Sequence, residues 1–385
     1  MRRRLREGIP AVAAGMVLGF AGIGLTGPAA AQSTNAASQS RPAAGVFFKA
    51  VTTSSLKGLS VDDFLQAMGV MAAGLGIDCS DCHPGAGSDR VNWVIDTPNK
   101  VTARKMVEMV AVINKTNFGG AQRVTCWTCH HGRTEPTTTV TIQHLYGSPY
   151  EEENDLITQA PGVPPASQIL DKYVQAVGGA QRLASLKSFI ASGSETGYSG
   201  LGDAGTFQIL AKFPDQRTTS VVYKDHPERG DNTRTYDGHT GWIKTPRALL
   251  REYELTGTEL NGARLDAMLS FPGQIRQAVA GLRSGFPDTI DGHPVDIVQG
   301  TGPGGILVTL YFDKGTGLLT RMLRFGNTPI GHNPTQVDYA DYRDVDGIKF
   351  PFQYTFSWLD GRESYQLTGV KTNVSIDAAK FGKPN

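Results

Sequence analysis

The chain has 385 residues, of which 19% are charged, and its formal net charge at pH 7 is +1. This balance does not predict the basic surface that nucleic-acid-binding proteins present, so that class of function is set aside. The length exceeds what one hydrophobic core usually serves, and we therefore expect two domains.

The first 31 residues predict a secretory signal peptide. Arg2, Arg3 and Arg4 precede an apolar span over residues 9–25, and small residues lead to a cleavage site after Ala31. Retention of the span as a membrane anchor is the alternative, because its length approaches that of a short transmembrane helix. We expect an exported, periplasmic protein, membrane-associated if the leader is kept. Residues 32–45, rich in Ser, Ala, Asn and Gln, predict a flexible tether.

Two helices are predicted next, and both carry methionines. Ser60 is the expected N-cap of the first, which Gly74 and Gly76 end. Thr97 and Pro98 open the second, and Gly119-Gly120 close it. The apolar positions recur at steps of three and four residues, and they are Val61, Phe64, Leu65, Met68, Met71, Ala72 and Leu75 in the first helix, and Met106, Met109, Val110 and Ile113 in the second.

Each helix is followed by a Cys-x-x-Cys-His run, Cys79-Ser80-Asp81-Cys82-His83 and Cys126-Trp127-Thr128-Cys129-His130. This spacing is typical of c-type haem attachment, in which two thiols add to the porphyrin vinyl groups and the adjoining His coordinates iron. The four cysteines of the chain all lie in these runs, so none is left for a structural disulfide. The sequence therefore predicts two covalently bound haem c groups.

Two other uses of these cysteines are open. Paired Cys-x-x-Cys segments also bind structural zinc, although zinc does not explain a His after both pairs. The second alternative is a redox-active dithiol, but a dithiol of that kind requires a single Cys-x-x-Cys motif in a different fold context.

A Met in each preceding helix is the expected second axial ligand of the iron. Met68 or Met71 would serve the first haem, and Met106 or Met109 the second. His/Met ligation raises the reduction potential relative to two His ligands and suits electron transfer. His144, in the segment that follows, could coordinate iron in principle, but a surface His is the expectation.

The rest of the chain predicts a sheet. Residues 149–165 hold acidic residues and three prolines and are expected to form a linker. Ser167 is the expected N-cap of a helix, after which apolar residues alternate with period two in several segments, most clearly from Ile348 to Trp358. A helix around Leu265, Met268 and Leu269 interrupts about ten antiparallel strands. No catalytic constellation is visible, because His226, His239, His293 and His332 are scattered in polar, turn-like settings.

The residues also carry a family resemblance. The run from Leu59 to Phe64 leading to Met68, the run from Ala103 to Met109 and the run from Val124 to His130 resemble the cytochrome c subunit of bacterial photosynthetic reaction centres, over about residues 46–148. The resemblance implies that Met68 and Met106 are the distal ligands, and it implies photosynthetic electron transport. The family carries four haems in two repeats, whereas this chain holds the equivalent of one repeat, and His131 stands where the family commonly has Arg.

A looser resemblance covers about residues 166–380. The phrase Ile169-Leu170-Asp171-Lys172-Tyr173, followed by strands, looks like periplasmic lipoprotein-carrier domains, which imply a half-barrel sheet with an apolar concave face. The expected architecture is thus multidomain: a signal peptide (1–31), a tether (32–45), an all-α dihaem cytochrome c domain (46–148), a linker (149–165) and an antiparallel β-sheet domain with a few helices (166–385).

The first function hypothesis is an electron carrier, not an enzyme, with His83/Met68 and His130/Met106 as axial pairs. Its partners would be redox proteins at the cytoplasmic membrane, in a reaction-centre or respiratory complex. A dihaem peroxidase is the alternative, and it requires one iron with an open axial position. In a third hypothesis the sheet domain binds an apolar ligand or a lipoprotein, and the haem domain serves for docking.

Overall fold

The computed structural model describes residues 42–88, 90–139, 142, 146, 157–197, 204–224, 231–245, 251–359 and 361–384. The chain from Arg41 onward forms one compact unit. The predicted signal peptide, most of the tether, much of the linker, His144 and His226 lie outside the described residues. Among the residues that are described, no helix has the length and apolar character needed to span a membrane. The predicted domain limits stay predictions.

The regular elements that the structure describes in the N-terminal region are helices, joined by turns and loops. Ser60 caps α2 as predicted, because its Oγ accepts a hydrogen bond from the Asp63 N–H at 3.1 Å, and Gly76 ends the helix in the left-handed conformation at φ 64°. Thr97 caps α4 and Pro98 occupies its first turn. The helices of this region are α1 (Ala44–Phe47), α2 (Val61–Leu75), α3 (Cys79–Cys82), α4 (Pro98–Asn117) and α5 (Cys126–His130).

The buried face of α4 differs from the predicted one. Val107, Val110 and Asn114 are buried, whereas Met109 is 42% exposed. The sequence pattern contains two adjacent apolar stripes, and the packing uses the one that begins at Val107. The other stripe, including Met109 and Val112, remains on the surface.

Over the residues that the structure describes, the C-terminal region is a 14-stranded sheet in which every strand pair is antiparallel. The antiparallel sheet confirms the expected class, but it has more strands than the ten expected, because three-residue strands are too short to show a period of two. The strands are β1 (Ser188–Gly197), β2 (Ala204–Lys212), β3 (Gln216–Val222), β4 (Asn232–Tyr236), β5 (Gly241–Lys244), β6 (Glu252–Glu254), β7 (Ala280–Ser284), β8 (Asp288–Ile290), β9 (His293–Thr301), β10 (Leu307–Asp313), β11 (Leu319–Thr328), β12 (Gly331–Val345), β13 (Ile348–Trp358) and β14 (Gly361–Thr372).

The strand order is β6-β5-β4-β3-β2-β1-β14-β13-β12-β11-β10-β9-β7, with β8 paired to β9. The first and last strands in the chain thus meet in the middle, through the β1–β14 pair. One large hydrophobic core joins one face of the sheet to helices on that side. The helices beside the sheet are α6 (Ala166–Ala176), α7 (Ala180–Ser185), α8 (Gly257–Leu269) and α9 (Ile275–Ala278).

The start of α6 corrects one expectation. The sequence predicts Ser167 as the N-cap, but the helix begins at Ala166 and Pro165 holds the cap position, with φ −63° and ψ 149°. A proline has this φ built into its ring, so it can precede a helix without a side-chain cap. Ser167 lies in the first turn instead.

The β11–β12 hairpin joins the two regions. Ile330, at its tip, is 1% exposed and packs in a cluster with Leu56, Ala67, Val70 and Val107 of the helical region. The backbone N–H of Cys126 donates to the Ile330 carbonyl at 3.1 Å. The sheet therefore supplies part of the small core on which the second Cys-x-x-Cys-His run is mounted.

Candidate functional site

The first Cys-x-x-Cys-His run forms the short helix α3. Asp78 precedes it in a capping box, because its carboxylate accepts from the Ser80 N–H at 2.7 Å and its own N–H donates to the Asp81 carboxylate at 3.0 Å. Thr97 Oγ1, at the start of α4, donates to the Cys82 carbonyl at 3.1 Å. The run is thereby fixed against α4.

The second run forms α5 and is fixed against α2. Thr125 and Thr128 make the capping box, with reciprocal hydrogen bonds of 3.0 and 3.3 Å. A Cβ at Gly74 would lie 3.0 Å from the Cys126 Cβ, a distance that a side chain there would not tolerate without a shift. Gly74 thus permits close packing of α2 on this run, and its carbonyl accepts from the Gly132 N–H at 3.0 Å.

The two motif histidines are held differently. His130 Nδ1 donates to the Arg133 carbonyl at 2.9 Å, an arrangement that leaves Nε2 as the nitrogen with a free lone pair. His83 Nδ1 is buried with no hydrogen-bond partner among the described residues, and its ring centroid lies 5.0 Å from that of Trp93. Burial, and then the positive charge of Lys100, lower the pKa of His83 and favour the neutral imidazole that binds metals.

The thiols do not resemble a redox pair. No disulfide joins the four cysteines, all of which the structure describes, and burial raises the pKa of Cys126 to about 11. Burial, and then the charge of Asp81, also raise the pKa of Cys82. Redox-active dithiols have a lowered thiol pKa, so the arrangement does not favour that use.

The runs also do not converge on one another. Of the residues that the structure describes, no three from His, Cys, Asp and Glu lie together in a way that could hold a metal ion. A structural zinc site requires four convergent ligands. His239, His293 and His332, predicted to be scattered, belong to no such group.

The candidate methionines lie beside the runs. Met68 and Met71 are half-buried and pack against the cluster that includes Ile330 and Cys126. Met106 is half-buried on α4, whereas Met109 is exposed. The contacts cross the chain order: α2, which carries Met68, contacts the second run, and α4, which carries Met106, contacts the first.

Large apolar side chains are exposed in the segments that carry the two runs. Trp93 contacts His83 and Trp127 lies within the second run, while Val94 is 66% exposed and Val112 is 60% exposed. Clusters of exposed apolar side chains are typical of surfaces that bind an apolar partner. The two thiol pairs, the hydrogen-bonded His130, the His83 imidazole that burial keeps neutral and this surface together fit a covalently attached haem at each run. The exposed set in this region includes Trp93, Val94, Ile95, Val101, Met109, Val112, Phe118 and Trp127.

Some features of the site had no sequence signal. The Ile330 carbonyl that accepts from Cys126 is about 200 residues away in the chain, and neither a motif nor a period marks it. The Arg133 carbonyl beside His130 could have been anticipated, because it lies three residues after a His that requires a backbone partner.

These features are those of a c-type cytochrome joined to a large antiparallel sheet. A family model described as the photosynthetic reaction centre cytochrome c subunit matches residues 23–158 of the chain, which supports the cytochrome class and confirms the resemblance predicted from the sequence. Comparison with curated proteins gives no match.

Solved structures match the sheet region at low similarity. A LolA superfamily protein from Nitrosomonas europaea has a TM-score of 0.40 at 14% identity, covering 57% of this chain and 99% of that one. A putative outer membrane lipoprotein-sorting protein domain from Vibrio parahaemolyticus has a TM-score of 0.37 at 10% identity, covering 55% and 97%. Both names agree with the lipoprotein-carrier resemblance predicted from the sequence. At these scores the matches carry no inference about function.

Proposed function

We propose that the chain is an exported dihaem c-type cytochrome that carries single electrons between redox proteins at the cytoplasmic membrane. The observation that carries this proposal is the pair of capped Cys-x-x-Cys-His helices, each with a histidine free to bind iron, in a region that matches a cytochrome c family. The proposal places the protein in the periplasm after removal of the predicted signal peptide.

The proposed residue roles follow the two runs. Cys79 and Cys82 would hold one haem and Cys126 and Cys129 the other, through thioether bonds, and His83 and His130 would each bind an iron. Met68 and Met106 would supply the second protein ligand of each iron. A bound haem c supplies an iron that gains or loses one electron without transfer of atoms.

The chain's own groups would orient these ligands and keep water away. The capping boxes of Asp78 and Thr125 fix the helices that carry the cysteines, and the Arg133 carbonyl fixes the ring of His130. An iron bound by both a His and a Met of this chain would have no position left for a substrate, so the expected role is electron transfer and not catalysis. The exposed apolar side chains of the segments that carry the runs, such as Trp93 and Trp127, would contact the porphyrin and lower the local polarity.

The ligand pairing can be tested by spectroscopy. The oxidised mature protein, produced with the haem-attachment machinery, should show a thioether-to-iron charge-transfer band in the near infrared. We expect the band to lose about half its intensity in Met68→Ala and in Met106→Ala, since each would remove one of two sulfur ligands. Met71→Ala and Met109→Ala are the matched controls and should leave it unchanged. High-spin iron in the wild type would contradict the assignment and favour a peroxidase.

The Met variants, combined with removal of one pair of cysteines, show which Met would bind the iron at which run. We propose pairing within each repeat, His83 with Met68 and His130 with Met106, whereas the helix contacts favour the crossed arrangement as the alternative. Replacing Cys79 and Cys82 by Ala leaves one haem, on the second run. In that background Met106→Ala should abolish the band. Loss of the band in Met68→Ala instead would establish the crossed pairing.

A further inference from the structure

A cavity of about 630 Å³ lies between the sheet, α8 and α2. This volume is in the range of small-molecule sites. Asp62, Leu65, Gln66 and Gly69 of α2 form part of its wall. The same helix packs on the second Cys-x-x-Cys-His run through Gly74, so α2 contacts both the cavity and a candidate haem site.

Much of the cavity wall is aromatic. Tyr354 and Tyr365 stack with their centroids 4.6 Å apart and their rings 8° from parallel. Phe189 and Phe350, also in the wall, pack edge to face at 5.3 Å. Such surfaces favour a flat apolar ligand, since rings prefer to stack or to meet edge to face.

The wall also carries buried polar groups with unused hydrogen-bonding capacity. Gln66 Oε1 accepts from Asn333 Nδ2 at 3.0 Å, but the buried Gln66 Nε2 has no acceptor among the described residues. Arg324, whose side chain is 7% exposed, lies 3.5 Å from the Asp266 carboxylate through Nη2, and its Nε likewise lacks an acceptor. Arg234 repeats this pattern with Glu259 at 3.0 Å.

These groups are mainly donors. A buried donor left unpaired has lost its hydrogen bond to water without replacement, so a ligand that brings acceptor oxygens would recover stability. Asp62 Oδ1 and Thr235 Oγ1 are the other unpaired buried atoms of the wall, and they would take a donor or water.

The charges around these donors favour a neutral acceptor. The guanidinium groups of Arg324 and Arg234 already face the carboxylates of Asp266 and Glu259, and Asp62 adds another carboxylate on α2. An anionic ligand there would meet these carboxylates at short range, where like charges repel, and the two guanidinium groups that could attract it are already paired. A carbonyl oxygen accepts the same hydrogen bonds without that repulsion.

We propose that this cavity binds a neutral, flat, apolar molecule bearing carbonyl oxygens, such as a quinone. Arg324, Arg234 and Gln66 donate to the carbonyl oxygens, and the aromatic wall contacts the ring. The cavity is then not the purely apolar concave face expected from the sequence. The alternative of a carboxylate amphiphile, for which Arg217, Lys244 and Lys349 also in the wall would provide charge, is one outcome of the test.

The test is isothermal titration calorimetry of the haem-loaded full chain in its oxidised form. Oxidised haem cannot reduce the quinone, so the measured heat reports binding alone. The probes are 2-methyl-1,4-naphthoquinone, the carbonyl-free 2-methylnaphthalene and laurate. We expect one quinone bound per chain, about tenfold more tightly than either other probe, because the quinone accepts from the buried donors without adding a negative charge, whereas 2-methylnaphthalene has no acceptor and laurate is anionic.

Variants locate the bound probe. Arg324→Lys keeps the charge beside Asp266 but removes the Nε donor, and it should weaken quinone binding about tenfold while leaving 2-methylnaphthalene unaffected. Arg321→Lys is the matched control, because Arg321 lies on the same strand, pairs with Asp338 at 2.6 Å and is not part of the wall. Near-ultraviolet circular dichroism establishes that both variants are folded.

Four results would overturn the proposal. Equal affinity for the quinone and 2-methylnaphthalene would mean that the carbonyl oxygens are not recognised. Laurate as the tightest probe would establish an anion site. Absence of quinone binding, or equal losses in the two Lys variants, would remove the cavity as the site. None of these results depends on whether the haem ligands are assigned correctly.

Discussion

The helical and sheet regions differ in how each is stabilised. The sheet region has a large core of its own, in which α6, α7, α8 and the strands bury aliphatic and aromatic side chains together. The helical region has a small hydrophobic cluster, and Ile330 of the sheet region is part of it. Large apolar residues remain exposed in the segments that carry its two Cys-x-x-Cys-His runs. We infer that the sheet region is stabilised by its own core. The helical region is stabilised in part by the β11–β12 hairpin and, under the proposed function, by the haem groups that its cysteines would hold.

The largest effect should follow removal of the cysteines. Replacing both cysteines of one run by Ala should lower the haem-to-protein ratio from two to one and destabilise the helical region by several kcal/mol, because a group bound only by the folded state adds its binding free energy to stability. Limited proteolysis with mass analysis should then cut the helical region and spare the sheet. Equal sensitivity of the two regions would contradict the comparison.

The next effect concerns the hairpin tip. Ile330→Ala removes a side chain that is 1% exposed from a small cluster, and it should lower the free energy of unfolding of the helical region by about 3 kcal/mol. Urea unfolding followed by haem absorbance measures the change. Val46→Ala, at a residue 72% exposed, is the control and should cost little. An unchanged Ile330→Ala midpoint would mean that the helical region does not rely on the sheet.

The sheet should show its own pH dependence through Glu195. Its side chain is fully buried, with the Tyr223 hydroxyl donating to it at 3.1 Å, and burial, then the charge of Glu363, raise its pKa to about 7. The folded state holds this proton up to about pH 7, whereas the unfolded chain releases it near 4.5. Stability should therefore fall as pH rises from 4.5 to 7, by about 3 kcal/mol at most.

Glu195→Gln isolates this effect. Gln keeps an acceptor for Tyr223 and carries no charge, so the variant should match the wild type at pH 4.5 and be more stable at pH 8. Urea unfolding of the sheet region at several pH values measures the difference. A constant difference between the two proteins across this range would rule out Glu195 as its origin.

The smallest expected effect is at the start of α2. Ser60→Ala removes the hydroxyl that accepts a hydrogen bond from the Asp63 N–H. It should lower the free energy of unfolding of the helical region by about 1 kcal/mol, as measured by urea unfolding. Ser88→Ala, at an exposed turn where the hydroxyl donates to the Gly85 carbonyl, should cost less. The reverse ranking would show that the α2 cap does not limit the stability of the helical region.

Local features were predictable because they depend on residues near in sequence. The caps at Ser60 and Thr97, the Cys-x-x-Cys-His runs and the long strand beginning at Ile348 all follow from spacing and residue type. Features that join distant segments were not predictable. The contact of Ile330 with Cys126 and the pairing of Arg324 with Asp266 depend on the folded sheet. The sequence did not predict the polar cavity wall. Its arginines lie in strands, and the period of a strand shows which residues share a face but not which side chains meet across the fold.

The most direct test of the central claim is mass analysis of the mature protein and of its proteolytic peptides, after production with the haem-attachment machinery. The account predicts a protein heavier than the polypeptide by two haem groups, with one haem on the peptide containing Cys79 and Cys82 and one on the peptide containing Cys126 and Cys129. Unmodified cysteines in both peptides, in a folded and exported protein, would contradict it.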